Sequence, residues 1–220
     1  MPARRDVLKG LGAGLGLGGL SMGAIAYRAL LREDSLLYAL GQPGPEVDAP
    51  ELPEPSGRPL EPTLRLADGP LYIPKSPLRR DLRARSHGGQ ELAIRGRVLD
   101  ASGRPLAGAV LDIWQTNAQG TYDVQGYGYR GHQFSDSDGR FELITVRPKE
   151  YHGLGVFRTP HIHFKIQGLG SRPLATQIFL PDEVEANAKD FAFDESLQVA
   201  LGRREGSLQL ARFDFVLEQA

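Results

Sequence analysis

Arg158-Thr159-Pro160-His161-Ile162-His163-Phe164 is the stretch from which the rest of the chain is read. It is a β-branched and aromatic run carrying two histidines one residue apart, and in an extended strand such a pair projects from one face. Two imidazoles side by side offer two neutral nitrogen donors to one metal ion. Pro160 fixes the backbone just before them, and Arg158 brings a permanent positive charge. Taken alone, the pair fits equally well a strand whose histidines meet solvent or a polar network. The surroundings must decide.

On both sides of this run, strand follows strand. Leu92 to Leu99 alternates through Leu92, Ile94 and Val98, and Asp100-Ala101-Ser102-Gly103 then turns the chain. Ala109 to Trp114 alternates again, with Val110, Asp112 and Trp114 set against Leu111 and Ile113. Phe141 to Val146, His161 to Gln167, Leu174 to Leu180 and Leu208 to Leu217 complete the set, and Asp182 to Lys189 is the one helix candidate among them. Short strands at this spacing, separated by Gly and Asp turns, predict an all-β fold, an antiparallel β-sandwich with few short helices. Asp136-Ser137-Asp138-Gly139 looks like the start of a calcium loop. The twelfth position from Asp136 is Arg147 where such a loop needs Glu, so the segment reads as a hairpin turn.

The sandwich is expected over residues 69–220, opened by Gly69-Pro70-Leu71-Tyr72-Ile73-Pro74. Ahead of it, residues 27–68 form a proline-rich arm or linker, in which Pro43, Pro45, Pro50, Pro53, Pro55, Pro59 and Pro62 prevent regular structure. Residues 1–26 read as an export signal. Arg4-Arg5-Asp6-Val7-Leu8-Lys9 is a twin-arginine pattern, a Gly/Ala/Leu-rich stretch follows from Gly10 to Leu20, and Ala24-Ile25-Ala26 supplies a cleavage site. The expectation is export through the twin-arginine machinery to the periplasm or outside the cell, with a membrane tether if the segment stays uncleaved. That route carries folded proteins, which suits a chain that takes up its metal beforehand. Lys and Arg number 26 against 27 Asp and Glu, a net charge of -1, so nothing points to a nucleic-acid partner. Cys is absent, which excludes disulfides and thiolate metal sites. Whether copies of the chain assemble into a homo-oligomer stays open.

Any metal here is held by nitrogen and oxygen. Two tyrosines lie upstream of the histidine pair in loops that leave strand ends, Tyr122 after Trp114-Gln115-Thr116-Asn117 and Tyr151 after Arg147-Pro148-Lys149-Glu150. Loops leaving one end of a sandwich can converge on one site. A phenol with a reference pKa of about 10 needs a strong Lewis acid to ionise at neutral pH, and ferric iron is one. Two phenolates and two neutral imidazoles would leave Fe(III) with a net charge of +1 and open positions for an anionic chelating substrate.

These motifs together resemble the intradiol ring-cleavage dioxygenases, most closely the protocatechuate 3,4-dioxygenase type. The resemblance runs from about Gly69 to Leu217 and rests on Gly69-Pro70-Leu71-Tyr72, Trp114-Gln115-Thr116-Asn117 with Gly120 and Tyr122, the His161/His163 run, and Thr176-Gln177-Ile178. It implies non-haem Fe(III) held by Tyr122, Tyr151, His161 and His163, and a catechol-type aromatic diol cleaved with O2 to a cis,cis-muconate-type product. It further implies that Tyr151 acts as general base, that Arg158 and Gln177 face the substrate, and that Tyr72 lines its pocket. The interval from Tyr151 to the histidines is short, which implies a more open pocket. Tyr127 and Tyr129 are expected as loop packing or pocket wall, His152 in an outer role, Trp114 in the core, and His87 and His132 on loops without function. Two rival readings remain. Gly96 to Ala109 also resembles the start of transthyretin-like binding modules, and cupin-type metal enzymes use His-x-His too, although they want a Glu about where Gln167 stands.

Overall fold

Strand β1 (Glu91–Asp100) is the spine of one layer, and its length lets three other strands share it. On one edge it pairs antiparallel with β4 (Arg140–Val146), from Glu91 opposite Val146 to Arg97 opposite Arg140. The other edge is divided between two parallel partners. β10 (Leu208–Arg212) runs beside Glu91–Arg95, β11 (Phe215–Leu217) runs beside Val98–Asp100, and β9 (Ala200–Glu205) lies outside β10. The computed structural model that shows this describes residues 59–83 and 88–220. The sequence leads one to expect a single strand over 208–217; the structure breaks it at Phe213. There the Phe213 carbonyl crosses Gly96 so closely that a Cβ on Gly96 would stand 1.7 Å from its oxygen. Next to it, Asp214 Oδ1 takes the Arg97 N–H at 2.7 Å in place of a ladder bond.

The second layer is wholly antiparallel, in the order β3 (Arg130–Phe134), β2 (Val110–Gln115), β7 (His161–Gln167), β8 (Leu174–Phe179). Its residues sort by face as the period of two requires. Leu111, Ile113, Ile162, Phe164 and Ile166 point inward, each at most 1% exposed, and meet Ile94, Val98 and Leu143 of the first layer in one apolar core. The outer face carries the chemistry in cross-strand rows. Trp114, His163 and Gln177 lie directly opposite one another on β2, β7 and β8, and His161 lies opposite Phe179. Among the described residues, helix is confined to α1 (Val184–Asn187), inside the expected Asp182–Lys189 segment, and one 3-10 turn at Glu195–Leu197. A two-stranded hairpin, β5 (Tyr151–Gly153) and β6 (Val156–Arg158), stands apart from both layers.

Residues 59–68 run extended across the domain. Leu60 N–H bonds Ala101 O at 2.7 Å, Thr63 N–H bonds Val216 O at 3.0 Å and Leu66 N–H bonds Ala175 O at 2.8 Å. The signal segment 1–26, the arm up to residue 58, and His87 lie outside the described residues. The acidic turn 136–139 joins β3 to β4, with Asp136 Oδ1 accepting the N–H groups of Asp138 and Arg140, as its reading as a hairpin turn requires.

Candidate metal centre

His161 and His163 do share a face of β7, and their Nε2 atoms stand 3.1 Å apart. The Tyr122 hydroxyl lies 3.0 Å from His161 Nε2. His161 Nδ1 lies 2.6 Å from Thr159 O, a carbonyl that only accepts, so Nδ1 carries the proton and Nε2 keeps its lone pair. Among the described residues, no group of three His, Cys, Asp or Glu gathers as a metal site. What gathers instead is two imidazoles and a phenol. Bonds of about 2.0–2.1 Å to one cation set neighbouring donors roughly 3.0–3.4 Å apart. The observed separations match, so the residues present fit a single ion bound by N and O donors.

The same pocket sets the protonation states. Burial, reinforced by the Arg158 charge, lowers His161 to about 4. Burial, with His161 and Arg158 adding to it, holds His163 well below its ordinary 6.5. Both imidazoles are therefore neutral donors at neutral pH. Burial pushes the Tyr122 phenol above the ordinary tyrosine range, while the charges of Arg158 and Arg130 pull against it. Without a cation beside it Tyr122 keeps its proton; a strong Lewis acid would take that proton's place.

Tyr151 reaches the centre by its ring. It stands edge-on to Tyr122 at 5.4 Å between centroids. It shares a face of β5 with Gly153, and its hydroxyl lies over that glycine, where a Cβ would come within 2.2 Å. Tyr151 is paired across the hairpin with Arg158. Arg158 in turn donates from Nη2 to Gln177 Oε1 at 2.5 Å and from Nε to both carboxylate oxygens of Asp190 at 2.9 and 3.0 Å. Tyr72 is placed differently. Its ring packs on Trp114 at 4.9 Å and its hydroxyl donates to Asp112 Oδ2 at 2.8 Å, so one indole separates it from the histidines.

The model of a dioxygenase family matches residues 67–218, which include every strand described above. The chain is 32% identical over 149 residues to a hydroxyquinol 1,2-dioxygenase of Rhizobium sp. (strain MTP-10005), covering 58% of this chain and 50% of that protein. It is 32% identical over 148 residues to the protocatechuate 3,4-dioxygenase beta chain of Burkholderia cepacia, covering 57% of this chain and 62% of that one. The chain belongs to the intradiol dioxygenases. Among solved structures, the dioxygenase domain of a dioxygenase–carbohydrate-binding fusion from the cellulolytic bacterium Streptomyces sp. SirexAA-E superposes with a TM-score of 0.67 at 40% identity. That match covers 73% of this chain and all of that one. The chain thus spans about half to three-fifths of the curated relatives named here.

Set against this intradiol framework, the other expectations sort out residue by residue. Trp114 is 1% exposed, as a core residue should be, yet its indole stacks on His163 at 4.6 Å and 7° and forms a wall of the centre. His132 lies in β3, not on a loop. Its Nδ1 meets Ser76 O at 2.7 Å, and Ser76 Oγ donates to the same Asp112 that binds Tyr72. That network anchors the segment carrying Tyr72. The Tyr127 hydroxyl donates to Pro74 O and Tyr129 is buried, both away from the donor atoms. His152 is exposed and packs on Phe157, on the hairpin face opposite Tyr151. Asp190, Asn187 and the Thr159 carbonyl had no sequence signal, because they act through contacts between distant segments.

Proposed function

We propose that this chain is a non-haem Fe(III)-dependent intradiol dioxygenase. It would cleave a catechol-type ring between its two hydroxyl-bearing carbons and place both atoms of O2 in a cis,cis-muconate-type diacid. The single observation that carries the proposal is the convergence of Tyr122 Oη, His161 Nε2 and His163 Nε2 at 3.0 and 3.1 Å in a buried pocket, with His161 oriented by Thr159 O. Tyr122, His161 and His163 hold the metal, and Tyr151 completes the set. Bound there, ferric iron would supply a Lewis acid for the anionic oxygens of a catechol-type substrate.

The protein's residues have separate tasks. Tyr151, half-buried and at the mouth of the hairpin, takes a proton from an incoming catechol hydroxyl. Arg158 stabilises negative charge that grows on ring and oxygen atoms, and Gln177, bonded to it, presents the rest of its amide to the substrate. Trp114 holds His163 flat and, with Tyr72 behind it, closes the pocket side opposite Arg158. The twin-arginine pattern of residues 1–26 supports export, hence a role against aromatic compounds outside the cytoplasm. A transthyretin-like binding module needs neither Tyr122 nor the histidine pair, and the family match speaks against it.

Oxygen uptake by the iron-loaded protein over a panel of catechols, with the product identified by mass, tests the reading. Uptake of one O2 per catechol, with both oxygen atoms recovered in the diacid, is expected. No uptake with any member of the panel, by protein of full iron content, would overturn it.

A further inference from the structure

The loop that follows α1 closes over the back of the centre without contributing a metal donor. Asp190 is its innermost residue: the carboxylate side chain is fully buried, against 12% exposure for Arg158. Its two oxygens are committed entirely to the segment before the histidines and to its own turn. Both accept from Arg158 Nε, Oδ2 also accepts the Thr159 N–H at 2.7 Å, and Oδ1 accepts the Ala192 N–H at 2.8 Å. One turn earlier, Asn187 Oδ1 accepts from Thr159 Oγ1 at 2.7 Å, while its Nδ2 is tied to Leu180 O. Thr159 is therefore gripped at its N–H and its hydroxyl, and its carbonyl is the group that orients His161. Phe191, beside Asp190, lies 5.1 Å from the Arg158 guanidinium carbon and covers its outer side.

We propose that Asp190 is a positioning residue of this centre: it fixes the Arg158 guanidinium by its Nε edge, so that the Nη edge faces Gln177 and the substrate. The inference rests on the reading of Arg158 as the group that meets substrate charge. The geometry explains why the carboxylate binds Nε rather than the two-pronged Nη edge. A fork-to-fork pair would consume the donors that substrate needs. With Nε held by Asp190 and one Nη2 hydrogen on Gln177, the Nη1 hydrogens remain for the pocket. The buried carboxylate also balances the guanidinium charge, which would otherwise stand uncompensated beside two imidazoles.

The test is a double-mutant cycle on the iron-loaded full-length protein, reading oxygen uptake with catechol for the parent, Asp190→Asn, Arg158→Ala and the double variant. Asp190→Asn lowers kcat by roughly ten- to a hundredfold while KM moves less, as losing an orienting partner of an active-site group does. In the Arg158→Ala background the same change costs less than about twofold, because there is no guanidinium left to position. Equal losses in both backgrounds, or a single variant within about twofold of the parent, would overturn the proposal. A second measurement needs no fold-sensitive variant at Asp190. In the unaltered, metal-free protein the Arg158 Nε–H, assigned by its loss in Arg158→Ala, gives a resolved, slowly exchanging NMR signal at neutral pH. A signal averaged with those of exposed arginines would overturn the assignment. If the parent consumes no oxygen with any member of the catechol panel, the functional reading fails, and this signal alone still decides whether Asp190 holds the guanidinium.

Discussion

Acidifying the metal-free protein should destabilise it through its two buried histidines, at a higher pH than its carboxylates titrate. Burial holds His161 at about 4 against an ordinary 6.5. Between those values the unfolded chain takes up a proton that the folded chain refuses. The unfolded state then binds more protons, so stability rises with pH and is lost as pH falls through this window. From about pH 7 to about pH 5 this one group removes roughly 2 kcal/mol. His163, also held down by burial, acts in the same direction. The carboxylates with lowered values act in a separate window, below about pH 4. Urea unfolding of chelator-treated protein across this range measures the effect. His161→Gln should flatten the pH dependence by about the same 2 kcal/mol, whatever its stability at neutral pH. A parent and variant with the same pH slope would refute the claim that His161 is buried neutral with its Nε2 lone pair free.

Three further outcomes follow from single side chains. Gly153→Ala puts a Cβ within 2.2 Å of the Tyr151 hydroxyl and must turn that ring away; activity should fall roughly tenfold with the melting temperature nearly unchanged, since the hairpin is strand-paired to neither layer. Gly96→Ala meets the Phe213 carbonyl at 1.7 Å and should cost on the order of 3 kcal/mol in thermal or urea unfolding, because backbone must move. Burial alone would raise Asp100, but bonds from Ser102 and Arg104 outweigh it and hold the carboxyl at about 2. A folded value below the unfolded one stabilises above about pH 4 and fades as pH falls through 2, so Asp100→Ala should cost on the order of 1 kcal/mol at neutral pH and clearly less at pH 2.

Much of this was legible from residue pattern. The strand His161–Gln167 has the bounds its composition suggests, and β1 and β2 lie within one residue of theirs, because period-two alternation survives wherever one face meets the core. β3 was not legible: Arg130-Gly131-His132-Gln133-Phe134 does not alternate, and its Arg130 and His132 are held by Asp123 and by the Ser76 segment. β9 was missed for the opposite reason, being an edge strand whose Gly-Arg-Arg-Glu run is exposed. The hairpin of β5 and β6 has strands of three residues each, too short to show a period. At the centre, Tyr122 and the histidine pair could be read from residue chemistry and family motif. The stacking of Trp114 on His163 depends on cross-strand register, and the grip of Asp190 on Arg158 spans 32 positions. Neither leaves a local mark in the sequence.

The most direct test of the account is the visible absorption spectrum of the iron-loaded protein, taken without oxygen before and after adding catechol. The account predicts a broad band from phenolate-to-Fe(III) charge transfer. The band should shift to longer wavelength when catechol binds and be strongly weakened in Tyr122→Phe. A protein that holds stoichiometric ferric iron yet shows no visible band, or a band that neither catechol nor Tyr122→Phe alters, would contradict it.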